Sequence, residues 1–152
     1  MDKPIRSIQS FSPSIGSIYS LYYQKPSKPY LATNQGLYSG FFSLQDNSLD
    51  NIQIDPVIKG QVWDISGFDN QLFCGNNEET YEIHPKRKII SLSKGGMCIA
   101  RGIIHGREVL VQGTYSDICT YTKENGTWQF NSNVQGFLNP EKNIVVDYQG
   151  RI

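Results

Sequence analysis

The residues able to do covalent chemistry are few and scattered. Ser91-Leu92-Ser93-Lys94 fits S-x-x-K, a pattern in which a lysine one helical turn after a serine reaches the hydroxyl. An apolar strand-like run precedes it and Gly95-Gly96 follows, so no helix is expected to bring the two side chains together. Asp46, Asp50 and Asp55 cluster without the glycine and terminal glutamate of a calcium loop. Glu78-Glu79 offers paired carboxylates but no opposing acid. Both clusters read as solvated loops. Cys74, Cys98 and Cys119 form no C-x-x-C, and His84 and His105 are the only histidines. The thiols therefore read as small buried side chains rather than metal ligands. Dinucleotide, phosphate-loop, zinc-protease and serine-elbow motifs are absent. The expectation is a non-enzyme with no cofactor and no metal site.

Non-covalent recognition is the stronger expectation. Asn34, Gln35, Asn76, Asn77, Glu78, Tyr115 and Asp117 are the candidate ligand-binding residues, with Lys59, Lys94, Asn139 and Glu141 on the same face. Amides and carboxylates supply donors and acceptors and tyrosine a stacking plane, a set suited to polyhydroxylated ligands. Trp63 is expected to pack between sheets, and Trp128 to lie half-buried on an outermost strand. Asn125-Gly126-Thr127 fits a glycosylation sequon, but a hairpin turn explains it fully.

These loops need strands to hold them. Alanine occurs only at Ala32 and Ala100, against 9 Tyr, 7 Phe, 14 Gly and 7 Pro, which points to an all-β chain. Strand-like runs recur as Ile18–Tyr23, Tyr30–Thr33 and Leu37–Phe42, with Asp46–Asn51 as a polar loop before Ile52–Ile54. The theme returns from Val62 and again from Cys98, with Leu31, Phe73 and Leu110 marking the second strand of each unit at spacings of 42 and 37. Four short strands per period of about 40–45 residues is a propeller-blade signature. The chain is expected to be one β-propeller fragment spanning 1–152, with antiparallel blades at 14–56, 57–95 and 96–135 and partial strands at 3–12 and 143–152. That makes three to three and a half blades, where closed propellers have about 4–8, so its open blade faces are expected to invite self-association.

Lys+Arg and Asp+Glu are 14 each, which argues against nucleic-acid binding through a basic face and against an anionic membrane surface. Met1–Ser10 lacks the apolar core of a signal peptide, and no run reaches the ~18 apolar residues of a membrane span.

Two stretches carry a family resemblance. Val146-Asp147-Tyr148-Gln149-Gly150-Arg151-Ile152 is similar to the D-x-x-G-x-[Ile/Leu]-Trp repeat of the two-component regulator propeller, and Leu31-Ala32-Thr33-Asn34-Gln35-Gly36-Leu37-Tyr38 resembles its following segment. The order of Val62–Ile83 and Asn125–Asp147 also resembles sensor regulators of gut Bacteroidetes, in which a periplasmic propeller precedes a triple-tyrosine β-sandwich, a membrane helix and a kinase or helix-turn-helix output. Phe68–Phe73 and Ile104–Val109 keep the turn but lack the Asp, Gly and Trp together. The resemblance implies a non-catalytic sensor on the periplasmic side of a membrane-anchored parent. It further implies a glycan-derived oligosaccharide ligand, the remaining blades and triple-tyrosine domain as partners, and no nucleic-acid contact by this region. The alternatives are a propeller scaffold for protein–protein contacts and, third, a glycan-active propeller enzyme with paired channel carboxylates.

Overall fold

Short turns alternate with strand-forming runs between Ile18 and Asn133, and most of them close hairpins. The computed structural model describes residues 13–152 apart from 26, 44, 46, 47, 138, 140 and 141. Its twelve strands form three four-stranded antiparallel sheets. The first contains β1 (Ile18–Lys25), β2 (Lys28–Thr33), β3 (Gly36–Ser43) and β4 (Ser48–Lys59). The second contains β5 (Val62–Phe68), β6 (Gln71–Asn76), β7 (Thr80–His84) and β8 (Lys88–Ser91). The third contains β9 (Cys98–Ile104), β10 (Arg107–Gly113), β11 (Ile118–Glu124) and β12 (Thr127–Asn133). Each is a meander in chain order. Asp69-Asn70, His105-Gly106 and Asn125-Gly126 each place two successive residues at positive φ, the hairpin geometry that matches strand twist.

Strand β4 is longer than its sequence suggests. It begins at Ser48, inside the expected polar loop, and residues 57–59 belong to the first sheet. Asp55 helps to shape it, its Oδ1 accepting the N–H groups of Val57 and Ile58 at 2.9 and 3.0 Å. The partial strand expected at 3–12, Asp46 and Glu141 lie outside the described residues.

The sheets stack face to face, and the core lies between them. Tyr30, Ala32, Leu37 and Ile58 of the first sheet meet Val62, Ile65, Leu72, Cys74 and Tyr81 of the second. Phe73 and Ile90 on the second sheet meet Ile99, Leu110, Tyr121 and Trp128 of the third. Thus Leu72-Phe73-Cys74 is apolar at every position because β6 is covered on both faces. Burying each such side chain contributes about 1.5–3 kcal/mol. Trp128 is 2% exposed rather than half-buried, because Phe73 packs edge-on against it at 6.3 Å and Gln71 Oε1 accepts its indole N–H at 3.1 Å.

The repeat is fixed by a turn, not by an apolar residue. Thr33 Oγ1, Asn76 Oδ1 and Thr114 Oγ1 each accept the backbone N–H groups two and three residues ahead. Aligned on these three positions, Leu31, Phe73 and Leu110 fall two, three and four residues earlier, so they are not equivalent. Strands buried on both faces carry apolar residues throughout, and that blurs register.

Residues 143–152 form no strand and pack against the third sheet. Ile144 and Val146 lie against Val109, Val111 and Ile118 on the open face of the third sheet. Asp147 then donates its N–H to Arg151 O at 3.0 Å, and Gly150 its N–H to Asp147 O at 3.0 Å, closing a turn. Asp147 Oδ1 accepts Gln149 and Arg151 N–H, both at 2.9 Å, so this aspartate builds the turn of the D-x-x-G stretch. Among the described residues no helix is long and apolar enough to cross a membrane.

Candidate functional site

The first strand of each sheet faces a common centre. β1, β5 and β9 converge there with residues 142–145 to wall a cavity of about 540 Å³. Tyr19 and Trp63, each the second residue of a first strand, stack in it with ring centroids 5.1 Å apart and planes 25° apart. Tyr115 meets the Trp63 ring edge-on at 6.0 Å. The Trp63 indole N–H is shared between Asn77 Oδ1 and the Tyr115 hydroxyl, both at 3.0 Å. The same Asn77 oxygen accepts the Tyr115 hydroxyl proton at 2.6 Å. Gln61 donates its side-chain amide to the Tyr19 hydroxyl at 3.1 Å, so the aromatic row is held at both ends.

Glycine makes room for this row. Gly95 lies in the left-handed region at φ +73°, and a Cβ there would come within 2.4 Å of the Tyr115 ring. The linker of Gly95 and Gly96 is pinned by their N–H groups, which donate to the Asn77 and Asn76 carbonyls, each at 3.1 Å.

Asp64 forms the floor. Its Oδ1 accepts Ser20 Oγ–H at 3.1 Å, and its Oδ2 accepts Ser66 Oγ–H at 2.7 Å and Ile99 N–H at 3.0 Å. One carboxylate from the second sheet thereby ties the first and third sheets together behind the aromatic row. Three neutral donors stabilise its charge in place of a cation.

The residues expected to bind ligand separate into two groups. Asn77 and Tyr115 join the aromatic row. Asn76 is buried and spends its side-chain oxygen on the Glu78 and Glu79 N–H groups. Asn34 Oδ1 accepts Ser17 N–H at 2.9 Å, across the start of the first sheet, and Asp117 Oδ2 accepts Ser116 Oγ–H from its neighbour in sequence at 2.9 Å. Gln35 and Glu78 are exposed, as are Lys59, Lys94 and Asn139, and none of these lines the cavity. Sequence reasoning missed Tyr19, Asp64 and Lys142, and it weighed Trp63 mainly as packing. The available signal was positional: Ile18-Tyr19-Ser20 and Val62-Trp63-Asp64 are matching starts of first strands.

The covalent candidates do not assemble. Ser91 ends β8, and its hydroxyl sits 2.6 Å from Ser93 Oγ, with no helix to carry Lys94 towards it. Asp55 pairs with Arg87, and Glu79 accepts the Tyr81 hydroxyl. Among the described residues no three His, Cys, Asp or Glu side chains group as metal ligands would. Cys74 and Cys119 are buried thiols, and burial pushes both above their ordinary range.

Compared with protein-family models and with curated proteins, the sequence finds no match in either.

Proposed function

We propose that the chain is a segment of a β-propeller that recognises a glycan-derived ligand without catalysis, as the sensor region of a bacterial signal-transduction or transcriptional regulator. The observation that carries this reading is the convergence of three first strands and residues 142–145 on one cavity walled by Tyr19 and Trp63. First strands lining a shared centre is how blades surround a channel. A tyrosine–tryptophan stack edged by amides suits a sugar, with its apolar ring face and hydroxyl rim. The Asp147 turn supports the resemblance to the two-component regulator propeller, because the D-x-x-G stretch behaves as a hairpin opener. By that resemblance the segment sits on the periplasmic side of a membrane-anchored parent.

Further blades are its expected neighbours. Ser20 and Tyr22 of β1 reach the second sheet, while Leu21 and Tyr23 alternate to the other face and are 51% and 44% exposed. An apolar sheet face of this kind favours packing against another blade or a second copy.

Calorimetric titration of the chain with a panel of neutral and acidic oligosaccharides tests the ligand class. Binding that disappears in Trp63→Ala supports the reading. Silence across the panel removes the saccharide.

A further inference from the structure

The polar groups of the central cavity fall into two kinds. Asp64 has both oxygens occupied by Ser20, Ser66 and Ile99, so it has little left to offer a ligand. Lys142 also lines the cavity, is exposed and holds its ammonium 5.7 Å from the Trp63 ring centroid. It makes no ion pair among the described residues. Asn143, also exposed, lines the cavity beside it. A cation–π contact at an exposed site is worth only about 0.5–1 kcal/mol, so the ammonium is parked at the aromatic wall and remains free to take an anion. Of the two charged side chains that line the cavity, Lys142 is thus the one with hydrogen-bonding capacity left for a ligand.

We propose that the cavity takes an anionic saccharide, whose carboxylate or sulfate meets Lys142 while a sugar ring rests on the Tyr19–Trp63 stack. This rests on the saccharide reading above and adds the charge. An ammonium–anion hydrogen bond is about twice as strong as a neutral one. It should appear as roughly tenfold tighter binding of an acidic sugar than of its neutral counterpart.

The two indoles make the test direct, since Trp63 lines the cavity and Trp128 is buried between sheets. The 15N-labelled chain is titrated with digalacturonate, with 6-sulfated galactobiose and with neutral galactobiose, while both indole N–H resonances are followed. The expected result is movement of the Trp63 resonance, with Trp128 still, at about tenfold lower concentration of one acidic probe. Which probe does so separates carboxylate from sulfate. Lys142→Gln should erase the advantage, Lys142→Arg should keep it, and added salt should weaken it. An equal response to acidic and neutral probes, or a preference for the neutral one, overturns the anionic class and leaves the saccharide reading standing. No movement of Trp63 with any probe overturns both.

Discussion

The Asp64 carboxylate accepts the backbone N–H of Ile99 at 3.0 Å, across the gap between the second and third sheets. Its other oxygen accepts Ser20 Oγ–H from the first sheet at 3.1 Å. A single side chain thus sets the spacing of the three first strands, and with it the width of the cavity they enclose.

Removal of that carboxylate is therefore expected to weaken the stack and reshape the cavity together. A hydrogen bond to a charged group contributes roughly 1.5–3 kcal/mol, and Asp64→Ala strands three donors at once. Solvent reaching this partly buried site relieves part of the loss. The expected destabilisation is about 3 kcal/mol, read as a lower urea midpoint at unchanged slope. Asp64→Asn keeps one acceptor oxygen and should fall between. A midpoint for Asp64→Ala equal to that of the parent chain would contradict the bridging role.

Gly95 should be as sensitive as any residue that touches the aromatic row. A Cβ at φ +73° would press on the Tyr115 ring, and the backbone conformation itself disfavours alanine by about 1–2 kcal/mol. Gly95→Ala is expected to push Tyr115 off the Asn77 oxygen, leaving the Trp63 indole with one acceptor instead of two. The indole N–H resonance of Trp63 should shift while that of Trp128 stays in place. If neither moves, the linker has more freedom than its two backbone hydrogen bonds imply.

The architecture was legible in the sequence because turns are local. Asn125-Gly126 and His105-Gly106 need positive φ, and short side chains or glycine supply it. The runs between them are too rich in Tyr, Phe, Ile and Val for helix, so β9 was expected at its observed bounds, Cys98–Ile104. Register across the repeat was less legible. Tyr30-Leu31-Ala32, Leu72-Phe73-Cys74 and Val109-Leu110-Val111 are buried on both faces, so alternation is lost; the turn acceptors Thr33, Asn76 and Thr114 carry the register instead. The site was half legible. Asn77 and Tyr115 lie in loops and announce themselves by polarity, whereas Tyr19 and Trp63 lie on strands and resemble ordinary core aromatics. Lys142 gave no signal, because its place at the cavity depends on the chain returning to the third sheet at Ile144 and Val146.

Alkaline pH should unfold the chain through its buried thiols and phenols. Burial pushes the Tyr121 hydroxyl from its ordinary 10.0 up to about 12. Burial likewise raises Cys74 and Cys119 from 9.0, and Tyr81 moves the same way, reinforced by the Glu79 carboxylate. These groups stay protonated in the fold after the unfolded chain has lost its protons. Their stabilisation is complete below the ordinary values and is lost as pH climbs towards the raised ones. For Tyr121 alone the slope is about 1.4 kcal/mol per pH unit between 10.0 and about 12. Urea midpoints should hold steady to about pH 8 and fall steeply above 9. Tyr121→Phe should flatten the upper part of that fall, although loss of its 2.5 Å hydrogen bond to Gln112 Oε1 lowers the starting point. An unchanged slope above pH 10 in Tyr121→Phe would show that this phenol is not among the groups responsible.

Acid should act at the opposite end of the pH scale and on one segment. The Asp147 carboxyl is held below its ordinary 3.8, chiefly by the backbone N–H of Arg151, then by the Arg151 guanidinium, with the Gln149 and Gly150 N–H groups adding to them. A depressed carboxyl stabilises its structure above the ordinary value, and that contribution is lost as pH drops through the lowered one. The turn at 147–151 should therefore keep its form at pH 4 and loosen only below it. Loosening should reach Ile144 and Val146, which with Val134 pack over Val109, Val111 and Ile118 on that face of the third sheet. Amide exchange measured from pH 5 downwards, corrected for intrinsic rates, should show loss of protection at Arg151 and Gly150 before any change at Val111 or Tyr121. Asp147→Asn should show the same early opening at pH 7. If protection across 147–151 and across β10 is lost at one common pH, the turn is not a separate unit and residues 143–152 unfold with the sheet.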